Sequence, residues 1–169
     1  MKNPESRIPS NRLIRYKLAV RPRYQDQEQH VEAAAPVCIL LVDDFEPFRS
    51  YVASTLQAIP GARIVAEAKD GLEAVQSAEA LKPDLIVLDV GLPKLNGIEA
   101  ARQIRKVSPS SIILFLSENM SPEIARDALG TGALGYVVKS DAAGELLLAV
   151  NDVLLGKRFI SARLENQGL

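Results

Sequence analysis

The sequence predicts an α/β domain built on a doubly wound, five-stranded parallel sheet with helices on both faces. Two patterns carry that expectation: short Val/Ile/Leu-rich runs alternate with longer segments of helical apolar spacing, and the runs are apolar throughout instead of at every second position. Strand and helix in alternation make βα units, and a strand without a polar face needs cover on both sides. A third observation, a sharp change of composition at Ala33-Ala34-Ala35-Pro36, sets where the domain begins.

Upstream of that change, residues 1–35 hold seven basic and four acidic side chains, a net of +3 that leaves −4 on the remainder of a chain whose total is −1. This head is expected to be a disordered or loosely attached extension. Ile14, Tyr16, Leu18 and Val20 alternate with Arg15, Lys17 and Arg21, so an added edge strand or a partner-binding segment is the alternative, and a start site set too far upstream is another. His30 reads as a solvated side chain. The globular domain is expected over 36–161, with 162–169 as a short C-terminal tail.

Strands are expected at 37–42, 63–68, 85–89, 111–116 and 135–138. Between them, Asp70-Gly-Leu-Glu73 and Asn96-Gly-Ile-Glu99 each read as a helix cap followed three residues later by Glu. Ser121-Pro122 is a cap with proline in the first turn. The last helix, about 141–155, places Leu146, Val150, Val153 and Leu154 on one stripe and stops at Gly156.

Composition excludes several function classes. At 169 residues and 47% hydrophobic, the chain can bury one sizeable core. Twenty Lys+Arg against 21 Asp+Glu give no charge excess for a nucleic-acid or membrane surface. The single Cys38 cannot form an internal disulfide and reads as a small buried hydrophobe in a reducing compartment. No run approaches the roughly 20 apolar residues of a membrane span, and no apolar block marks a secretory signal, so the expected location is cytoplasmic.

Ligands of open parallel sheets bind beyond the carboxyl ends of the strands. There the first strand ends in Asp43-Asp44, the third in Asp89 and the fourth in Ser117, and the fifth runs Gly135-Tyr136-Val-Val-Lys139. Singly, each has an ordinary reading: Asp43, Asp44 or Ser117 a helix cap, Asp89 a turn residue, Lys139 a solvated surface lysine, Tyr136 a core aromatic. Together they are harder to explain without chemistry. Three clustered carboxylates raise one another's pKa unless a cation intervenes. Mg²⁺ suits such a cup because it takes one or two carboxylates, keeps waters and completes its shell with phosphate oxygens. A carboxylate can accept a phosphoryl group, with Lys139 and Ser117 supplying donors to the phosphoryl oxygens.

These motifs, Leu41-Val42-Asp43-Asp44, Asp89-Val-Gly-Leu-Pro93-Lys-Leu-Asn-Gly97, Leu116-Ser117 and Gly135-Tyr136-Val-Val-Lys139, resemble those of the CheY-like response-regulator receiver family. The resemblance runs over about 37–161, through Gly156-Lys-Arg-Phe-Ile-Ser161, and is greatest to the NarL/FixJ-type subgroup. It implies a flavodoxin-like strand order 2-1-3-4-5, and a metal held by Asp43, Asp44, Asp89 and the Gly91 backbone carbonyl. It also implies phosphorylation of Asp89 by a histidine kinase or phosphotransfer protein, and a switch made of Ser117 and Tyr136 that alters binding of a downstream protein. A phosphorylation-linked homodimer is compatible with it.

Two features depart from the family pattern. Ser140 stands where many receivers have proline, so a cis peptide after Lys139 is not expected. Only eight residues follow Ser161, fewer than the roughly 20 a helix-turn-helix needs, so this chain is not expected to bind DNA by itself. A separate enzymatic activity is not expected either. An aspartyl-phosphate hydrolase would need a second carboxylate two residues after its nucleophile, and position 91 is Gly. A receiver-like module that acts without phosphorylation is the remaining alternative.

Overall fold

In the computed structural model, which describes residues 35–169, six parallel strands form one sheet in the order β2-β1-β3-β4-β5-β6. The strands are β1 (Val37–Val42), β2 (Ala62–Ala68), β3 (Leu85–Leu88), β4 (Ile112–Ser117), β5 (Gly135–Val138) and β6 (Phe159–Ile160). The helices are α1 (Glu46–Leu56), α2 (Gly71–Leu81), α3 (Gly97–Val107), α4 (Pro122–Gly130), α5 (Ala142–Leu154) and α6 (Ala162–Glu165). The doubly wound architecture is as expected from the sequence. The readings of the head before residue 35 lie outside the described residues.

The apolar runs explain the layering. Side chains alternate across a strand, so a run without polar members fills two cores at once. Leu40, Val42, Ile86, Leu88, Ile113 and Phe115 point to the side covered by α2, α3 and α4. Ile39, Leu41, Leu85, Val87, Leu114 and Leu116 point to the side covered by α1 and α5. The predicted stripe Leu146, Val150, Val153 and Leu154 is buried in the second core, and Gly156, at φ 76°, ends the segment in the left-handed region.

The expected caps differ in how they act. Asp70 and Asn96 accept from the backbone N–H groups of Glu73 (2.9 Å) and Glu99 (3.0 Å). Ser121 occupies the cap position of α4, but its hydroxyl donates to the Glu123 carboxylate at 2.6 Å instead of accepting from the backbone.

The five-strand expectation needs one correction. Phe159 and Ile160 pair in parallel with Gly135 and Tyr136 as a sixth strand. Two residues are too few to show a periodicity, so this strand exists through its tertiary pairing and not through a sequence pattern. The residues after β6 are packed too. Leu164 of α6 is fully buried in the first core, and Ser161 is fully buried, its Oγ accepting from Val138 N–H at 2.8 Å and donating to the Glu145 carboxylate. This ties down the end of β5, one residue before Lys139. Lys139–Asp141 then form a 3₁₀ turn, and no peptide bond among the described residues is cis.

Candidate functional site

The register of the sheet assembles the site. Val42 lies opposite Leu88 in the β1–β3 pairing, and Asp89 N–H donates to Val42 C=O at 2.9 Å, so Asp43 and Asp89 leave neighbouring strands side by side. On the other flank Ser117 lies opposite Val138, and Lys139 follows. The strand order reverses around β1 and β3, which makes this the switch point of the doubly wound sheet.

Carboxylate oxygens of Asp43, Asp44 and Asp89 lie within 4.8 Å of one another, with Asp43 and Asp89 buried and Asp44 exposed. The Lys139 ammonium bridges the two buried ones, 2.7 Å from Asp43 Oδ2 and 2.9 Å from Asp89 Oδ2. The remaining oxygens take backbone donors: Phe45 N–H to Asp43 Oδ1 at 2.9 Å and Gly91 N–H to Asp89 Oδ1 at 3.1 Å. Burial pushes the Asp89 carboxyl above the usual carboxylate value, and the hydrogen bond and charge of Lys139 offset only part of that. Burial alone would depress Lys139, but its bonds to Asp43 and Asp89 outweigh it and leave the ammonium above the usual lysine value. Three hard oxygen donors with one side open to water fit a small hard cation such as Mg²⁺.

Ser117 is buried, and its Oγ accepts from Asn119 N–H at 3.1 Å. Tyr136 points inward and is fully buried; its ring lies against Phe115 with centroids 6.3 Å apart, and its hydroxyl donates to Asn119 C=O at 2.9 Å. Burial raises the Tyr136 phenol above its ordinary value of 10.0, and the neighbouring Ser117 hydroxyl counters part of the effect. The structure therefore brings together Asp43, Asp44, Asp89 and Lys139 in one cup, and joins Ser117 to Tyr136 through Asn119.

Four neighbours were not evident from the sequence. Arg49 donates to the Asp43 carbonyl at 2.7 Å and to Glu67 at 2.6 Å, pinning α1 to the acidic end of β1. The Phe48 ring lies 4.8 Å from the Lys139 ammonium. Lys94, at φ 62°, reaches Asp70 Oδ2 at 2.5 Å and fastens the loop after Asp89 to the start of α2. Asn119 joins the hydroxyls of Ser117 and Tyr136. Their one signal in the sequence was position, one turn into α1 for Phe48 and Arg49 and inside the 90–97 and 118–121 loops for the others.

These contacts link protonation to stability. Lys139 and Tyr136 both hold their protons more tightly in the folded chain than at their ordinary 10.5 and 10.0. Above about pH 10 the folded state thus binds more protons than the unfolded one, so stability is fully present below that pH and falls as pH rises through the folded values. Urea unfolding of the wild type is expected to show this loss as pH rises above about 10, and Tyr136→Phe is expected to flatten it. A pH-independent midpoint over that window would contradict the burial of these groups.

An acidic cup bridged by one lysine at the switch point of a parallel sheet defines the class, an α/β domain whose charged groups converge at the carboxyl edge of its sheet. Residues 39–151 match the response regulator receiver domain family, and the chain belongs to that family. It carries a receiver domain of two-component signalling systems. The chain is similar to the nitrate/nitrite response regulator protein NarL of Escherichia coli K12, 35% identical over 129 residues that make up 76% of this chain and 60% of that protein. It is also similar to the transcriptional regulatory protein DegU of Brevibacillus brevis, at 35% over 126 residues, 75% of this chain and 53% of that one. The chain thus spans between half and two thirds of the length of these relatives. Among solved structures, a LuxR-family two-component response regulator from Aurantimonas sp. SI85-9A1 superposes with a TM-score of 0.74 at 35% identity, covering 78% of this chain and 94% of that one. Among the described residues no helix is long and apolar enough to cross a membrane.

Proposed function

We propose that this receiver takes a phosphoryl group on Asp89 from a histidine kinase or phosphotransfer protein and thereby changes its binding to a downstream protein. The observation that carries the reading is the Lys139 ammonium bridging Asp43 and Asp89 beside a third, exposed carboxylate. In the transfer, an Asp89 oxygen forms the new O–P bond as the bond from phosphorus to the donor's leaving atom breaks, the electron pair departing with the donor. Asp43, Asp44, Asp89 and the Gly91 carbonyl would hold Mg²⁺, which when bound neutralises charge on the phosphoryl oxygens. Lys139 follows one oxygen of the transferred group, and the Ser117 hydroxyl donates to another.

The output reading is shaped by Tyr136. Because this side chain is already inward and bonded to Asn119, phosphorylation would hold it there instead of driving it inward. The moving part is then the 117–121 segment, as Ser117 turns from Asn119 N–H towards the phosphoryl group. Shifting such an equilibrium from 1:99 to 99:1 takes about 5.5 kcal/mol, within reach of a few charge-assisted hydrogen bonds. DNA binding is not proposed for the described receiver; its partners would be the phosphodonor, a downstream protein and, under phosphorylation, a second copy.

The same inward Tyr136 favours a second reading, in which the domain presents its signalling surface without phosphorylation. Mass spectrometry of the chain after incubation with acetyl phosphate, with and without Mg²⁺, separates the two. A Mg²⁺-dependent gain of one phosphoryl group is expected. A folded chain that gains none would leave the constitutive module.

A further inference from the structure

We propose that Phe48 is a positioning residue for Lys139, its ring holding the ammonium at the cup when the Asp43 and Asp89 carboxylates are engaged elsewhere. The inference rests on the receiver reading and deepens it. Phe48 lies in the first turn of α1, partly buried against the core on that side of the sheet. Its ring centroid is 4.8 Å from Lys139 Nζ, inside the roughly 6 Å range over which an aromatic face attracts a cation.

The ring is itself held in place. Tyr51 packs on it with centroids 5.8 Å apart at 37°, and α1 is pinned by the Arg49 guanidinium on the Asp43 carbonyl and the Glu67 carboxylate. Phe48 therefore offers the lysine a fixed surface joined to the same strand end that carries Asp43.

Competition gives this surface its importance. The ammonium also contacts Asp43 Oδ2 at 2.7 Å and Asp89 Oδ2 at 2.9 Å. A divalent cation in the cup needs those same carboxylates, and an O–P bond on Asp89 commits one of its oxygens. Both anchors weaken at the step in which the ammonium has to face the phosphoryl oxygens. The ring face competes with neither, because it attracts cations and has no lone pair for a hard metal. A flexible four-carbon stem without it would be free to swing. With the Lys139 side chain only 10% exposed, the attraction acts where water screens it little.

An aliphatic side chain at position 48 keeps the packing and loses the attraction, which separates positioning from space filling. The test uses the full chain as wild type, Phe48→Leu and Phe48→Tyr. Three quantities are measured: the rate of adduct formation with acetyl phosphate and Mg²⁺, the NMR resonance of the Lys139 ammonium without phosphodonor, and the urea midpoint. Phe48→Leu is expected to slow adduct formation about tenfold with a near-unchanged midpoint. It is also expected to move the Lys139 resonance downfield as ring-current shielding is lost, while Phe48→Tyr keeps both near wild type. A Phe48→Leu chain with wild-type rate and an unmoved Lys139 resonance overturns the proposal, as does equal slowing by Leu and Tyr. If the wild type takes up no phosphoryl group, the phosphoacceptor reading fails on its own; the Lys139 resonance still decides whether Phe48 holds the lysine, an unmoved signal in Phe48→Leu refuting it.

Discussion

Asp89→Asn is expected to form no covalent adduct with acetyl phosphate and no Mg²⁺-dependent BeF₃⁻ complex, while resisting urea better than the wild type when Mg²⁺ is absent. The loss of the adduct should be complete, because an amide lacks the anionic oxygen that forms the O–P bond. The gain in stability comes from the same group. Burial holds the Asp89 carboxyl above its ordinary 3.8, so the folded state disfavours the ionised form, and stability declines as pH rises through the folded value. Above that folded value the penalty is fully present. A neutral amide removes it, and Lys139 keeps its 2.7 Å partner Asp43. The gain should appear as a higher urea midpoint for Asp89→Asn than for the wild type in the absence of Mg²⁺. Added Mg²⁺ should stabilise the wild type by mass action and leave Asp89→Asn nearly unchanged. An adduct that survives in Asp89→Asn would move the acceptor to Asp43 or Asp44.

The second large effect is structural and concerns the loop that carries Asp89. A Cβ on Gly97 would lie 1.9 Å from the Asp89 carbonyl oxygen and 2.9 Å from Val90 Cα. Those are backbone atoms and cannot swing aside as a side chain could. Gly97 N–H also donates to Val90 C=O at 2.9 Å, so relief requires moving the start of α3 or the end of β3. Gly97→Ala is expected to lose about 3 kcal/mol or more of unfolding free energy, the upper end for overpacking. It should also slow phosphoryl uptake through displacement of Asp89, even at temperatures where the chain stays folded. Gly144→Ala supplies the contrast: nothing lies within 4 Å of its Cβ in α5, and replacing a helical glycine there is expected to add about 0.5–1 kcal/mol. Urea titrations of the two variants check both statements, and a Gly97→Ala chain as stable as wild type would refute the close approach of α3 to β3.

Much of the site was readable because βα units put chemistry at predictable places. A strand end can be located by where an apolar run stops, which is how Asp43, Asp44, Asp89, Ser117 and Lys139 stand out. The caps at Asp70 and Asn96 were readable for a related reason, since their partners Glu73 and Glu99 lie three residues away. Ser121 shows the limit of that reasoning. The cap position was right, yet its hydroxyl is turned to the Glu123 carboxylate two residues on and accepts from no backbone N–H of the first turn. The sixth strand was missed for want of length, and Phe48, Arg49, Lys94 and Asn119 for want of any local signature.

By itself, the sequence determined the βα alternation, the two-sided burial of the sheet and the identity of the groups at its carboxyl edge. All of these follow from periodicities of two to four residues, which are local physics. Tertiary structure alone decided what those groups do to one another. The contact between Lys139 and Asp89 spans 50 positions, that between Lys94 and Asp70 spans 24, and that between Tyr136 and Asn119 spans 17. Such contacts depend on strand order and register, and these emerge only when the helices close over both faces and set each strand end against its neighbour.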